Sequence, residues 1–82
     1  MKINILIFAR IADIVGSREV ILELPDGAFV CDACDELAHQ FPRFRDAVCG
    51  SAFAVNEEYI QSDQSILRDG DTLAIIPPVS GG

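Results

Sequence analysis

No apolar run in these 82 residues approaches the ~20 needed to span a bilayer. The first residues also lack the basic start, apolar stretch and cleavage site of a signal peptide. The expectation is a cytoplasmic chain with no membrane partner. Cations are scarce as well, six Lys and Arg against thirteen Asp and Glu, for a formal charge of −7. Nucleic-acid binders need a basic footprint, so that class is excluded and a basic protein partner fits better. Three cysteines, an odd number without an export signal, argue for free thiols and against a disulfide framework. No internal repeat, linker or low-complexity stretch divides the chain, which reads as one domain over 1–82.

What is present is apolar side chains, half of all residues. A chain this short buries only about 60–65% of the surface its unfolded form exposes, so some of that apolar surface is left for a partner.

Ile3 to Phe8 is dense in β-branched and aromatic residues and reads as a central strand. Ile3, Ile5 and Ile7 share one face; Asn4, Leu6 and Phe8 take the other. Ala9 to Val15 reads as a short turn or helical segment closed by Gly16. Arg18 to Leu24 alternates, with Val20, Leu22 and Leu24 on one side and Glu19 and Glu23 on the other, as a half-buried strand does. Pro25-Asp26-Gly27 supplies turn chemistry.

From Val30 to Phe41, apolar residues recur at three- and four-residue spacing as one stripe of an amphipathic helix, which Pro42 ends. Phe29 is a poor N-cap. A loop containing Arg43, Arg45 and Asp46 follows. Ala52–Val55 reads as a strand, Asn56-Glu57-Glu58 as a turn into Tyr59-Ile60, and Asp69-Gly70-Asp71 as a second turn before a closing strand, Thr72–Ile76.

Strand, strand, helix, strand, strand with one main helix predicts an α+β fold: a β-grasp (ubiquitin-like) mixed sheet of four to five strands, helix on one face. The first and last strands then lie side by side. Leu6, Phe8, Ala74 and Ile76 fall on the uncovered face.

The chain closes with Pro77-Pro78-Val79-Ser80-Gly81-Gly82, expected to be a flexible tail over 77–82. Two prolines stiffen its start, and glycines without side chains let its end enter a channel closed to bulkier residues. The expectation is that it delivers a carboxylate there.

Phe8-Ala9-Arg10 with Val15-Gly16, Ala54-Val55-Asn56, Asp69-Gly70-Asp71 and Ile76-Pro77-Pro78-Val79-Ser80-Gly81-Gly82 together resemble the small subunit of molybdopterin synthase along nearly the whole chain. The resemblance implies a sulfur carrier. A ubiquitin-activating-type adenylyltransferase would consume ATP to adenylate the Gly82 carboxylate, and a sulfurtransferase system would convert it to a thiocarboxylate. The large synthase subunit would receive the tail, with Gly81, Ser80, Val79, Pro78 and Pro77 threading behind Gly82, and sulfur would pass to cyclic pyranopterin monophosphate. The resemblance further implies a heterotetramer, no permanently bound cofactor and no catalysis by this chain alone. Phe8, Tyr59 and Ile76 are the candidate docking patch. Sulfur carriage in another, thiamine-type pathway and ubiquitin-like protein modification are the alternatives.

Cys31 and Cys34 with Cys49 and His39 could make four zinc ligands, but Cys34 lies on the apolar stripe of the helix, so no metal site is expected. Glu57 and Glu58, adjacent in a turn, read as solvated carboxylates.

Overall fold

In a computed structural model, which describes residues 1–78, the element order is β1 (Lys2–Ile7), α1 (Ala9–Val15), β2 (Glu19–Glu23), α2 (Val30–Gln40), α3 (Phe44–Val48), β3 (Ala52–Val55), β4 (Glu58–Ile60) and β5 (Thr72–Ile76). The five strands form one sheet in the order β2-β1-β5-β3-β4. β1 and β5 run parallel at its middle, and every other pairing is antiparallel. The β-grasp expectation holds.

Alternation in the strands decides what the sheet covers. Ile3, Ile5, Ile7, Leu22, Leu73 and Ile75 all point to one face and are buried there, in a cluster with Val30, Ala33 and Leu37 of α2. Ile11 of α1 and Phe44 of α3 join the same cluster, both at 0% exposure. Each fully buried aliphatic side chain stabilises the fold by about 1.5–3 kcal/mol. β1 is therefore covered on its odd-numbered face only.

The segment expected to be a plain loop around Arg43, Arg45 and Asp46 instead contains α3. Phe44 and Ala47, three residues apart, are its buried side, and α3 packs against both α1 and α2. Burial of Phe44 holds a helix of five residues that could not stand alone in water.

Phe29 is the N-cap of α2 despite having no side-chain acceptor. Three other groups satisfy the first turn. The Asp32 carboxylate accepts from the Phe29 N–H at 2.7 Å. Val30 N–H donates to the Ser65 carbonyl at 3.0 Å and Cys31 N–H to the Asp63 carbonyl at 2.7 Å. The helix start is thus capped by a segment more than thirty positions away in sequence.

The outer edge of β2 is blunted. In the antiparallel ladder with β1, Glu19, Ile21 and Glu23 turn their backbone groups away from β1, but the Ser17 hydroxyl donates to the Glu19 carbonyl at 2.7 Å and accepts its N–H at 3.2 Å. Pro25 removes a donor just beyond. Such devices limit pairing with stray strands.

Candidate functional site

The face of the sheet away from the helices carries the candidate site. Strand register lays out one row across it: Glu19, Leu6, Ala74, Ala54 and Tyr59, each paired with the next. The adjoining row toward the chain's exit contains Ile76 opposite Ala52, and Phe8, extended at φ −128° and ψ 157°, continues the alternation of β1 beside them. Three alanines make a low floor, rimmed by Phe8 on one side and Tyr59 on the other. Ala54 is 5% exposed even though no helix covers it, because Ala74 and Tyr59 flank it. Phe8 is 45% exposed and Tyr59 72%.

Apart from Ile21, the opposite half of that face is polar. Lys2, Asn4 and Thr72 of β1 and β5, with Glu23 of β2, stand at the end remote from Ile76. The apolar trough therefore runs toward the end of β5 from which the tail departs. Patches of this kind on a small domain mark protein docking surfaces.

Sequence alternation put Phe8 and Ile76 on one face, and the β3–β4 register places Tyr59, the third residue of the expected patch, on that face opposite Ala54. Ile21, 64% exposed, shares the face at its Asn4 side and is not among the expected docking residues. Its place among Glu19 and Glu23 on the alternation of β2 was the available signal. Phe29 and Ile66 are also exposed but pair with each other across an isolated bridge, off the sheet face.

Pro77 is half-buried and Pro78 exposed. Gly50, at φ +82°, stands beside this exit, where an added Cβ would sit 3.8 Å from the Pro78 ring. Only glycine takes that backbone conformation without strain. Val79, Ser80, Gly81 and Gly82 lie outside the described residues.

Cys31 and Cys34 are partly buried and Cys49 is exposed, all as free thiols. Burial, with Asp63 and Asp35 nearby, pushes the Cys34 thiol up to about 12; desolvation and the neighbouring Asp32 also raise Cys31. Neither thiol is disposed to form the thiolate a metal or nucleophilic reaction needs. Among the described residues no group of three or more His, Cys, Asp or Glu could hold a metal ion, and no helix is long and apolar enough to cross a membrane.

The sequence from residue 5 to residue 82 matches the model of one family, described as the ThiS family. The chain belongs to the ThiS family. Within that relationship it is 39% identical to the molybdopterin synthase sulfur carrier subunit of Chlamydomonas reinhardtii, over 100% of both chains. It is 38% identical to the protein of the same name from Arabidopsis thaliana, over 100% of this chain and 84% of that one. Crystallised SAMP1 of Haloferax volcanii, a small archaeal modifier protein, superposes with a TM-score of 0.88 at 31% identity over 100% of both chains. The likeness to molybdopterin synthase small subunits read from the motifs is therefore a family relationship, and the fold it implied is the fold found.

Proposed function

We propose that this chain is the sulfur carrier subunit of a molybdopterin synthase, with Gly82 as the carrying residue. The observation that supports this best is the full-length relationship to proteins of that name, in a family match that extends through residue 82. Chemistry asks for the same parts. A carboxylate is a poor acyl donor, so ATP-dependent adenylation by a ubiquitin-activating-type enzyme replaces a poor leaving group with AMP. A sulfur nucleophile then displaces AMP, and the sulfur is stored as a thiocarboxylate.

The carrier delivers that sulfur to cyclic pyranopterin monophosphate in the active site of a large subunit, two sulfurs being needed for each dithiolene. Phe8, Tyr59 and Ile76 dock the domain while Pro77 to Gly81 thread the tail. Four residues from Val79 reach roughly 13–14 Å when extended, enough to enter a pocket from a docked position. Docking raises the effective concentration of the thiocarboxylate at the substrate. The complete assembly is a heterotetramer with one carrier at each end of a large-subunit dimer, in the cytoplasm.

Reconstitution tests the proposal. Thiocarboxylated chain mixed with a molybdopterin synthase large subunit and cyclic pyranopterin monophosphate should yield the dithiolene product, and bulky replacement of Gly82 should abolish it. Normal product from the Gly82 variant would refute the threading role. The 31% identity to SAMP1 supports a second reading, protein modification, which mass spectrometry for conjugates would detect.

A further inference from the structure

The chain carries a formal charge of −7 and only six Lys and Arg in all. Two of those six face one cleft. Between α1 and α3 lies a hollow of about 240 Å³ lined by Arg10, Ile14, Arg43, Asp46 and Ala47. Arg10 and Arg43 are both exposed, and among the described residues neither guanidinium has an ion pair or a side-chain hydrogen bond. Arg45, two residues beyond Arg43, is by contrast paired with Asp35 at 3.1 Å. Asp46 shares the cleft without pairing to either arginine, so the cleft keeps a net positive charge in an acidic chain.

We propose that this cleft binds a carboxylate side chain of the large subunit, a second contact beside the apolar trough. The inference deepens the sulfur-carrier reading and rests on it. Forked guanidinium groups meet a carboxylate through paired hydrogen bonds, which fix its orientation as well as hold it. Ile14 and Ala47 give the cleft an apolar wall, and a charge contact against such a wall is stronger than one in open water. A contact of this kind sets register more than affinity. It selects, among the ways a partner can lie on the trough, the one that aims the tail.

Placement selects the occupant. α1 begins directly after Phe8, so Arg10 follows the rim of the trough by two residues. α3 ends at Val48, and Gly50 just beyond it stands beside the Pro78 ring. The cleft therefore flanks the root of the tail, where a protein surface that docks on the trough and takes in the tail meets it too. The phosphorylated reactants fit less well. Pockets for small molecules ordinarily enclose about 300–1,000 Å³. The end of a threaded tail, where those reactants are met, lies roughly 13–14 Å beyond Pro78.

Calorimetry of the full chain against a molybdopterin synthase large subunit, at low and at physiological salt, tests this. The double variant Arg10→Gln/Arg43→Gln should bind about tenfold more weakly at low salt and lose much of the wild-type salt dependence, since salt screens the charge contact and not the apolar one. Its melting temperature should match the wild type, both side chains being exposed. Arg10→Lys/Arg43→Lys, which keeps the charges and removes the forks, should recover only part of the affinity. Wild-type affinity and salt dependence in the Gln variant overturn the assignment. So does saturable binding of inorganic phosphate that shifts the NMR signals of both guanidinium groups, which would make the cleft a phosphate site. A wild-type chain that does not bind the large subunit at all overturns the sulfur-carrier reading itself, and this inference with it.

Discussion

Asn56 donates from Nδ2 to Asp71 Oδ1 at 2.9 Å, tying the β3–β4 turn to the turn that opens β5. Around this contact, the Thr72 N–H donates to Asn56 Oδ1 at 3.0 Å and Arg68 N–H to Asp71 Oδ2 at 2.8 Å. Asp71's carbonyl also accepts from Asn4 N–H at 2.9 Å, which fixes β5 beside β1. A one-residue slip would turn the apolar trough inward and the core outward, so these polar residues hold the proposed docking face in place.

Replacing Asn56 with Asp removes the Nδ2 donor and sets two carboxylates against each other. The expected loss is about 1–2 kcal/mol, since a hydrogen bond to a charged group contributes roughly 1.5–3 kcal/mol when partly shielded and less when exposed as here. Urea denaturation measures it. Restoration in the Asn56→Asp/Asp71→Asn double variant, which reverses the pair, would show that the two residues act through one another.

Glu57 follows Asn56 in a two-residue hairpin turn, and both have positive φ, 51° for Asn56 and 72° for Glu57. A side chain at such a φ is strained by about 1–2 kcal/mol, and glycine at the same place gives back part of the gain through its freer unfolded state. Glu57→Gly should therefore stabilise the protein by about 0.5–1 kcal/mol in the same denaturation experiment.

Phe8 and its neighbour Ile7 separate docking from stability. Ile7 is 1% exposed and Phe8 45%. Ile7→Ala should cost about 2–5 kcal/mol of stability. Phe8→Ala should leave the melting temperature nearly unchanged yet weaken large-subunit binding at least tenfold, about 1.4 kcal/mol. Calorimetry of both variants against the large subunit distinguishes the two outcomes.

Cys34 makes stability depend on alkaline pH. Its thiol, near 9.0 when unfolded, is raised to about 12 in the fold, chiefly by burial. The folded state holds this proton more firmly, so the contribution is complete below pH 9 and is lost as pH rises toward 12. The slope reaches at most about 1.4 kcal/mol per pH unit. Denaturation across that range should show a shallower decline for Cys34→Ala than for the wild type. Under iodoacetamide at neutral pH, exposed Cys49 should react well before Cys34.

How much of this was legible in the sequence depends on the range of the forces involved. Ile3, Ile5 and Ile7 against Asn4, Leu6 and Phe8 announce two faces of one strand through period alone, and Asp69-Gly70-Asp71 announces a turn. The register that sets Tyr59 opposite Ala54 needs the hairpin formed. α3 was missed because its apolar spacing, Phe44 with Ala47, is too short to register as a period and becomes meaningful only when Phe44 finds the core. The cap on α2 was missed for the opposite reason, since Phe29 is a poor local cap and the carbonyls of Asp63 and Ser65 arrive from far along the chain. At the site, Phe8, Ala74 and Ile76 could be placed on one face from alternation; Ala52 and Ala54 of the floor, with Tyr59 at the rim, joined them only when β3 was placed between β4 and β5.

Intact mass spectrometry of the chain after incubation with a ubiquitin-activating-type enzyme, ATP and a sulfur donor tests the central claim most directly. Replacement of one terminal oxygen by sulfur should add about 16 Da, and fragmentation should place the gain on Gly82. A mass that stays unchanged while the same enzyme charges a known molybdopterin synthase sulfur carrier would contradict the account.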